Sequence, residues 1–426
     1  MKYTKPIALL ASAVLLTGCG IQVTRCGPEE SGQAVPAKPV GISGDLTAHF
    51  EAQPVQTEQP DDTFRAAYAD FSLGLLQRTA AGSGNLMISP YSVMQALGMT
   101  ANGAAGDTLA GIEQALGGQP VDRLNGCLAS WRTGQPKTAN CMLTTANSIW
   151  IRDAESVSVR PEFLQKNVDY YAAGAFLRDF SDGKTCKDIN KWIDANTMHM
   201  IPKVLDGISP DAVMYLVNAV AFDAKWLQTY EKKNVSTRTF YAADGTEQTA
   251  DMMYSDETVY LEDEHAAGFM RPYDGGRYYF AALLPDEDTP IADYIAGLTA
   301  ERLNAVFRSA KQAAVHAGIP KFSCDYDTDL SEALADMGMA AAFSGAADFS
   351  GMTDTPVQIS RVLHNTHIEV DEKGTKAAAS TVVEMRKNAE APMPGSYTVI
   401  LDRPFLFAIF DMECGMPVFL GVIRAL

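Results

Sequence analysis

Between residues 214 and 222 the chain reads Met-Tyr-Leu-Val-Asn-Ala-Val-Ala-Phe, an apolar run interrupted only by Asn218. A strand with one wet face alternates polar and apolar residues, and an amphipathic helix repeats every three or four. This run does neither, so it requires a central strand covered on both faces. Asn218 must then find its hydrogen bonds inside the core. Residues 278–284 form a second such run, and residues 144–151 are also strand-like. Residues 398–409 and 417–423 read as apolar strands separated by Glu413-Cys414-Gly415, a hairpin signal. Helical spacing instead marks the first half. Phe64, Ala67, Tyr68, Phe71 and Leu75 share one face, Ser89-Pro90 starts a second helix, and residues 108–116 stop at Gly117-Gly118. Residues 189–200 give a further helix before Pro202. Helices first and strands later, without regular βαβ alternation, predict an α+β fold.

At 426 residues and 47% hydrophobic, the chain can bury a large core. Lys+Arg is 34 against Asp+Glu 52, a net charge of -18, which repels phosphate backbones and makes nucleic acid an unsuitable partner. The 7 Cys are dispersed with no Cys-x-x-Cys pair. Nucleophile-elbow, Walker, dinucleotide and zincin patterns are absent, so the residues themselves name no catalytic group, metal site or cofactor. His364 and His367, three apart on a strand, point to opposite faces and make a poor metal pair. Asp286-Glu287-Asp288 reads as an acidic turn.

The N-terminus carries Lys2 and Lys5, then an apolar stretch over residues 7–16, too short to span a membrane. It ends in Leu16-Thr17-Gly18-Cys19, which resembles the bacterial lipoprotein box. Residues 1–18 are expected to be a signal peptide and Cys19 a lipidation site. Residues 19–61, rich in Pro, Gly, Gln and Glu, are expected to be a flexible tether of about 35 Å. The folded domain is expected over residues 62–426, exported across the inner membrane and lipid-anchored to a bacterial membrane or cell surface. An oxidising compartment permits cysteine pairing. Cys127 and Cys141 flank Thr133-Gly134-Gln135-Pro136-Lys137, and a disulfide between them is expected. For Cys186, Cys324 and Cys414, pairing and free buried thiols stay equally open.

One segment has the pattern of a buried strand where a loop is expected. From Gly374 to the Pro-rich Ala391-Pro392-Met393-Pro394-Gly395, one face reads Thr375, Ala377, Ala379, Thr381, Val383, Met385. The other reads Lys376, Ala378, Ser380, Val382, Glu384, Arg386 and holds the charges. That is the period-two pattern of a half-buried strand, with small residues at its leading end. A sheet strand already in place, or a helix on its Ala content, would also fit the pattern.

Four separated blocks resemble the serpin family: Asn85-Leu86-Met87-Ile88-Ser89-Pro90-Tyr91-Ser92-Val93; Val217-Asn218-Ala219-Val220-Ala221-Phe222-Asp223-Ala224-Lys225-Trp226; Ile368-Glu369-Val370-Asp371-Glu372-Lys373-Gly374-Thr375; and Leu401-Asp402-Arg403-Pro404-Phe405-Leu406-Phe407. The resemblance covers nearly everything after residue 63. It implies three β-sheets, about nine helices and an exposed reactive loop. It also implies a monomeric inhibitor acting as a suicide substrate. A target serine or cysteine protease cuts the loop, and the cut loop inserts into the main sheet, a switching mode for which serpins are the standard example. A serpin fold serving only for binding or as a scaffold is the alternative. The hinge maps to Glu372, Gly374, Thr375, Ala377, Ala378, Ala379 and Thr381. Ser89, Pro90, Ser92 and His364 map to the region where the sheet opens, and Asn218 and Trp226 to loop entry. Counting from the hinge places Asn388 before the scissile bond; one register shorter gives Lys387, and two give Arg386. A basic residue suits trypsin-like proteases, so Lys387 ranks first and Arg386 second. The loop is longer than usual, leaving a second bait near Met393. Met198-His199-Met200 departs from the Gly-Lys pair usual after the sixth helix.

Cys19→Ser is expected to move the protein out of the membrane fraction; a variant that still pellets in full amount would place the anchor elsewhere.

Overall fold

The computed structural model describes residues 43–154, 157–209, 211–375 and 396–426. Among them nine α-helices form: α1 Asp62–Thr79, α2 Pro90–Ala101, α3 Gly106–Ala115, α4 Val121–Thr133, α5 Pro161–Tyr171, α6 Gly183–Asn196, α7 Ile291–Gly297, α8 Ala300–Arg308 and α9 Ser331–Leu334. The strands are β1 Leu86–Ile88, β2 Lys137–Thr138, β3 Cys141–Arg152, β4 Gly174–Arg178, β5 Met214–Lys225, β6 Val235–Tyr241, β7 Glu247–Asp263, β8 Ala266–Pro272, β9 Tyr278–Pro285, β10 Lys311–Pro320, β11 Phe322–Asp329, β12 Arg361–Val370, β13 Gly374–Thr375, β14 Ser396–Ile400, β15 Phe405–Asp411 and β16 Met416–Ile423. The fold is α+β, as the helix-then-strand order predicts.

Helix starts follow local chemistry. The Asp61 carboxylate accepts from the Phe64 N–H and starts α1; Ser89 caps α2, whose first residue is Pro90. The expected strand over residues 398–409 is two strands, β14 and β15, divided at Pro404, which has no N–H for a ladder.

A seven-stranded sheet runs β11-β12-β13-β5-β3-β2, with β4 also paired to β3. The other sheet is nine-stranded, β1-β16-β15-β9-β8-β7-β10-β14, with β6 on β7. Two of the three expected sheets are joined because β7, 17 residues long, runs through both. Strand β5 explains its own sequence. Leu216, Val220, Phe222 and Ala224 face the main core between the sheets, whereas Tyr215, Val217, Ala219 and Ala221 face a second cluster with Ile189 and Ile193 of α6. Period two puts Asn218 on the main-core side.

Two expectations are corrected. The tether does not extend to residue 61. The Leu46 N–H donates to the Ala175 carbonyl and Leu177 N–H to that of Gly44, so residues 44–46 lie along β4. Farther on, the Glu58 N–H donates to the Gly126 carbonyl, and Arg123 pairs with Glu58 and Asp61. Residues 19–42 of the expected tether, with Cys19, lie outside the described residues. The Cys127–Cys141 disulfide is also absent: both are free, buried thiols. Cys127 sits on the buried face of α4 and Cys141 starts β3, opposite Ala224 of β5. Burial pushes each thiol up to about 12, so both stay protonated and unreactive. Cys186, Cys324 and Cys414 are likewise free.

The Met198-His199 departure has a backbone consequence. Both residues take left-handed conformations, with φ of 55° and 58°. A non-glycine residue there costs about 1 kcal/mol. His199 is exposed, and its ring Nδ1 lies 2.8 Å from the Asp194 carboxylate, a surface contact of small worth. His199→Gly is therefore expected to raise unfolding free energy by about 1 kcal/mol in urea titrations; a loss of stability would show that the Asp194 contact outweighs the strain.

Candidate functional site: a polar seam and the hinge above it

The register of three adjacent strands lines up three polar side chains. Asn147 of β3 pairs with Asn218 of β5, and Asn218 pairs with His364 of β12. All three are buried. Helix α2 packs over this row with Ser89 at its cap, then Ser92 and Gln95, spaced along one helix face.

The hydrogen bonds run as one chain from Ser89 to Gln95, whose buried Nε2 has no partner. The Ser89 N–H donates to His364 Nε2 at 2.9 Å, so that nitrogen must accept. His364 Nδ1 therefore carries the proton and donates to Asn218 Oδ1 at 2.6 Å. The Asn218 amide donates to the Ser92 carbonyl, to Ser92 Oγ and to Asn147 Oδ1. The Asn147 amide donates to Gln95 Oε1 at 2.7 Å, and Ser89 Oγ to the Val418 carbonyl of β16 at 2.8 Å. Burial without a counter-charge pushes the His364 imidazole down to about 3. Protonation would also turn Nε2 into a donor facing the Ser89 N–H.

Strands β12 and β5 are parallel and directly paired from Arg361↔Tyr215 to His367↔Ala221. Above that point the chain folds back as β13, which lies between them: Thr375 pairs with both Val370 and Ala224. Thr375 is fully buried, and its Oγ1 lies 2.5 Å from the Tyr273 hydroxyl. Gly374 is required by close approach, since a Cβ there would lie 2.1 Å from the Ala224 carbonyl oxygen. Three hinge carbonyls are gripped from one stretch. The Trp226 N–H donates to the Lys373 carbonyl, Trp226 Nε1 to Asp371 and the Tyr230 N–H to Glu372. Partial burial pushes the Glu372 carboxyl up, but its hydrogen bond from Lys321 more than offsets this and holds it below the usual glutamate range.

Most of the expected residues that are described fall into two places. Ser89, Ser92, Asn218 and His364 form the seam cluster, with Pro90 starting the helix above it. Glu372, Gly374, Thr375 and Trp226 form the hinge entry. Asn218 thus belongs to the seam rather than to the loop-entry group. Ala377, Ala378, Ala379, Thr381, Arg386, Lys387 and Asn388 lie outside the described residues. Sequence reasoning missed Asn147, Gln95, Tyr273 and Lys321. Asn147 could have been found as a second Asn within a strand-like segment, residues 144–151; Lys321 gives no such signal, because its partner is remote in the chain.

Residues 66–425 match the family model described as Serpin (serine protease inhibitor). The chain belongs to the serpin family. Serpin B6 of Pongo abelii is 30% identical over 376 residues, covering 84% of this chain and 98% of the relative. A serpin-like protein of Thermococcus kodakarensis is 29% identical over 363 residues, covering 83% of this chain and 84% of the relative. Among solved structures, the thermophilic serpin tengpin in its native state superposes with a TM-score of 0.84 at 40% identity, covering 90% of this chain and 99% of tengpin. The four sequence blocks therefore fall inside a serpin domain, and Gly374 and Thr375 of the third block pair into the seven-stranded sheet.

The buried His364 is expected to make this serpin acid-sensitive. Its pKa is about 3 when folded against an ordinary 6.5. The unfolded chain therefore binds the extra proton first, and stability falls as pH drops below about 6.5 towards the folded value. At pH 5 the loss from this residue is roughly 2 kcal/mol. Urea titrations at pH 7 and 5 are expected to show it, and His364→Gln, though less stable at pH 7, is expected to show a flatter pH dependence. Equal slopes would mean that His364 does not carry the effect.

Proposed function

We propose that this chain inhibits a serine-type endopeptidase as a suicide substrate and is not itself an enzyme. The observation that carries the reading is the placement of Thr375 between β5 and β12, with strand-patterned sequence following it. An inserted strand that kept that register would bring Thr381 opposite both His364 and Asn218. An inserting strand would part the hydrogen bond between those two and bring a hydroxyl to replace it. Ala377 and Ala379 would arrive on the inward face, where small side chains enter without overpacking.

The bait assignment rests on sequence. Arg386 and Lys387 offer a basic residue to a trypsin-like pocket, with Asn388 next. The Cys19 motif supports display of the domain from a bacterial membrane or cell surface, with the tether shortened to the residues before 44.

The test uses the purified chain mixed with trypsin-like and elastase-like proteases. After cleavage, insertion competes with hydrolysis of the acyl-enzyme. Thr375→Arg would carry an unpaired charge into a fully buried position, which costs several kcal/mol. Even about 3 kcal/mol on the insertion barrier slows it more than a hundredfold. Wild type is expected to give an SDS-stable adduct and Thr375→Arg mainly cleaved free protein with active protease. Replacing Arg386 and Lys387 with Ala is expected to abolish adducts with the trypsin-like protease only. Equal trapping by Thr375→Arg would refute insertion. Cleavage of wild type without any adduct would favour a serpin fold serving for binding.

A further inference from the structure

Arg271 of β8 and Glu257 of β7 form an ion pair buried beside the hinge entry, with side-chain exposures of 6% and 6%. The pair lies apart from the seam cluster. Arg271 Nη2 donates to the Gln228 carbonyl, and the guanidinium carbon lies 5.0 Å from the centre of the Trp226 ring and 4.0 Å from that of Tyr230. All three contacts fall in residues 226–230, the stretch whose N–H groups grip the carbonyls of Asp371, Glu372 and Lys373. Trp226 also stacks on Tyr273 at 4.5 Å, and Tyr273 reaches Thr375. Glu257 accepts from Ser255 Oγ, which lies 3.3 Å from the Tyr230 hydroxyl, closing a ring of contacts around the guanidinium.

A Leu or Met would fill this space without desolvating a charge. Arg271 Nε moreover has no partner. Burying an ion pair is a poor source of stability, whereas a planar guanidinium fixes orientation through stacking and directed hydrogen bonds. We propose that Arg271, held by Glu257, is a positioning residue for loop entry: it fixes residues 226–230 beneath the hinge and so sets how fast a cut loop enters the sheet. The grip itself stands on contacts in the folded protein; the rate of entry rests on the inhibitor reading above.

Two variants of the full chain test it. The double variant Arg271→Met with Glu257→Gln removes both charges at similar volume, so that neither charge is left buried without its partner. Arg271→Lys keeps the charge but loses the planar fork, and carries the test if the double variant does not fold. Hydrogen exchange at the Trp226 and Tyr230 amides is expected to quicken at least tenfold in both variants, with the amides of β9 within twofold of wild type. The yield of SDS-stable adduct per loop cleaved by a trypsin-like protease is expected to fall at least threefold, with the cleavage rate itself within twofold. Unchanged exchange at Trp226 and Tyr230, or a uniform rise across β9 as well, overturns the proposal, since it reduces Arg271 to general stability. Faster exchange with unchanged adduct yield overturns the role in entry. If wild type forms no adduct with any protease, the inhibitor reading fails, and the exchange measurement alone decides the grip.

Discussion

The hydrogen bond from His364 to Asn218 crosses the line between β12 and β5, and much of the seven-stranded sheet is arranged around it. Two polar side chains inside an apolar core are tolerable only when every donor meets an acceptor. The sequence supplies those partners from four directions: Asn147 across β3, Ser89 and Ser92 at the start of α2, Gln95 one turn later, and β16 through Ser89. Losing one partner would leave a buried group unsatisfied, at about 1–3 kcal/mol. The network therefore holds helix and sheet in one register. Its neutral histidine also means that the seam has no charge of its own to strand when the two strands part.

Above the seam the same sheet is already divided. β13 fills the first two positions between β5 and β12, and three successive carbonyls before it are held by Trp226 and Tyr230. Under the proposed insertion, these contacts would set the direction and register of the residues that follow. The pattern of small inward residues becomes meaningful only with this register: without it, Thr375 to Met385 is an alternating segment with no defined neighbours. Buried charge is present beside the hinge, where the Arg271–Glu257 pair sits against the gripping stretch, and the seam cluster holds none.

The corrections share a cause. Residues 44–61 lack apolar periodicity, so they read as a tether; they are ordered by backbone hydrogen bonds to β4 and α4 and by ion pairs with Arg123. Backbone groups are the same in every residue, so such docking leaves no mark in composition. Cys127 and Cys141 are close in sequence, but one faces inward from α4 and the other starts β3. Loop proximity along the chain does not bring two Cβ atoms within disulfide reach.

Local chemistry and hydrophobic period were enough to determine the first helix from its Phe64 face, the helix start at Ser89, the doubly buried β5 and the α+β order. Each depends on neighbours within a few residues. The motif blocks likewise carried the family and contained Ser89, Ser92 and Asn218 of the seam. What only the tertiary structure decided is which polar groups meet. Asn147, Asn218 and His364 belong to three strands far apart in the chain, as do Lys321 and Glu372, and Arg271 and Gln228. Their pairing follows from strand register and helix packing, which arise from the burial of the whole core and not from any local preference. A buried polar residue announces in the sequence that it needs a partner; only the fold names the partner.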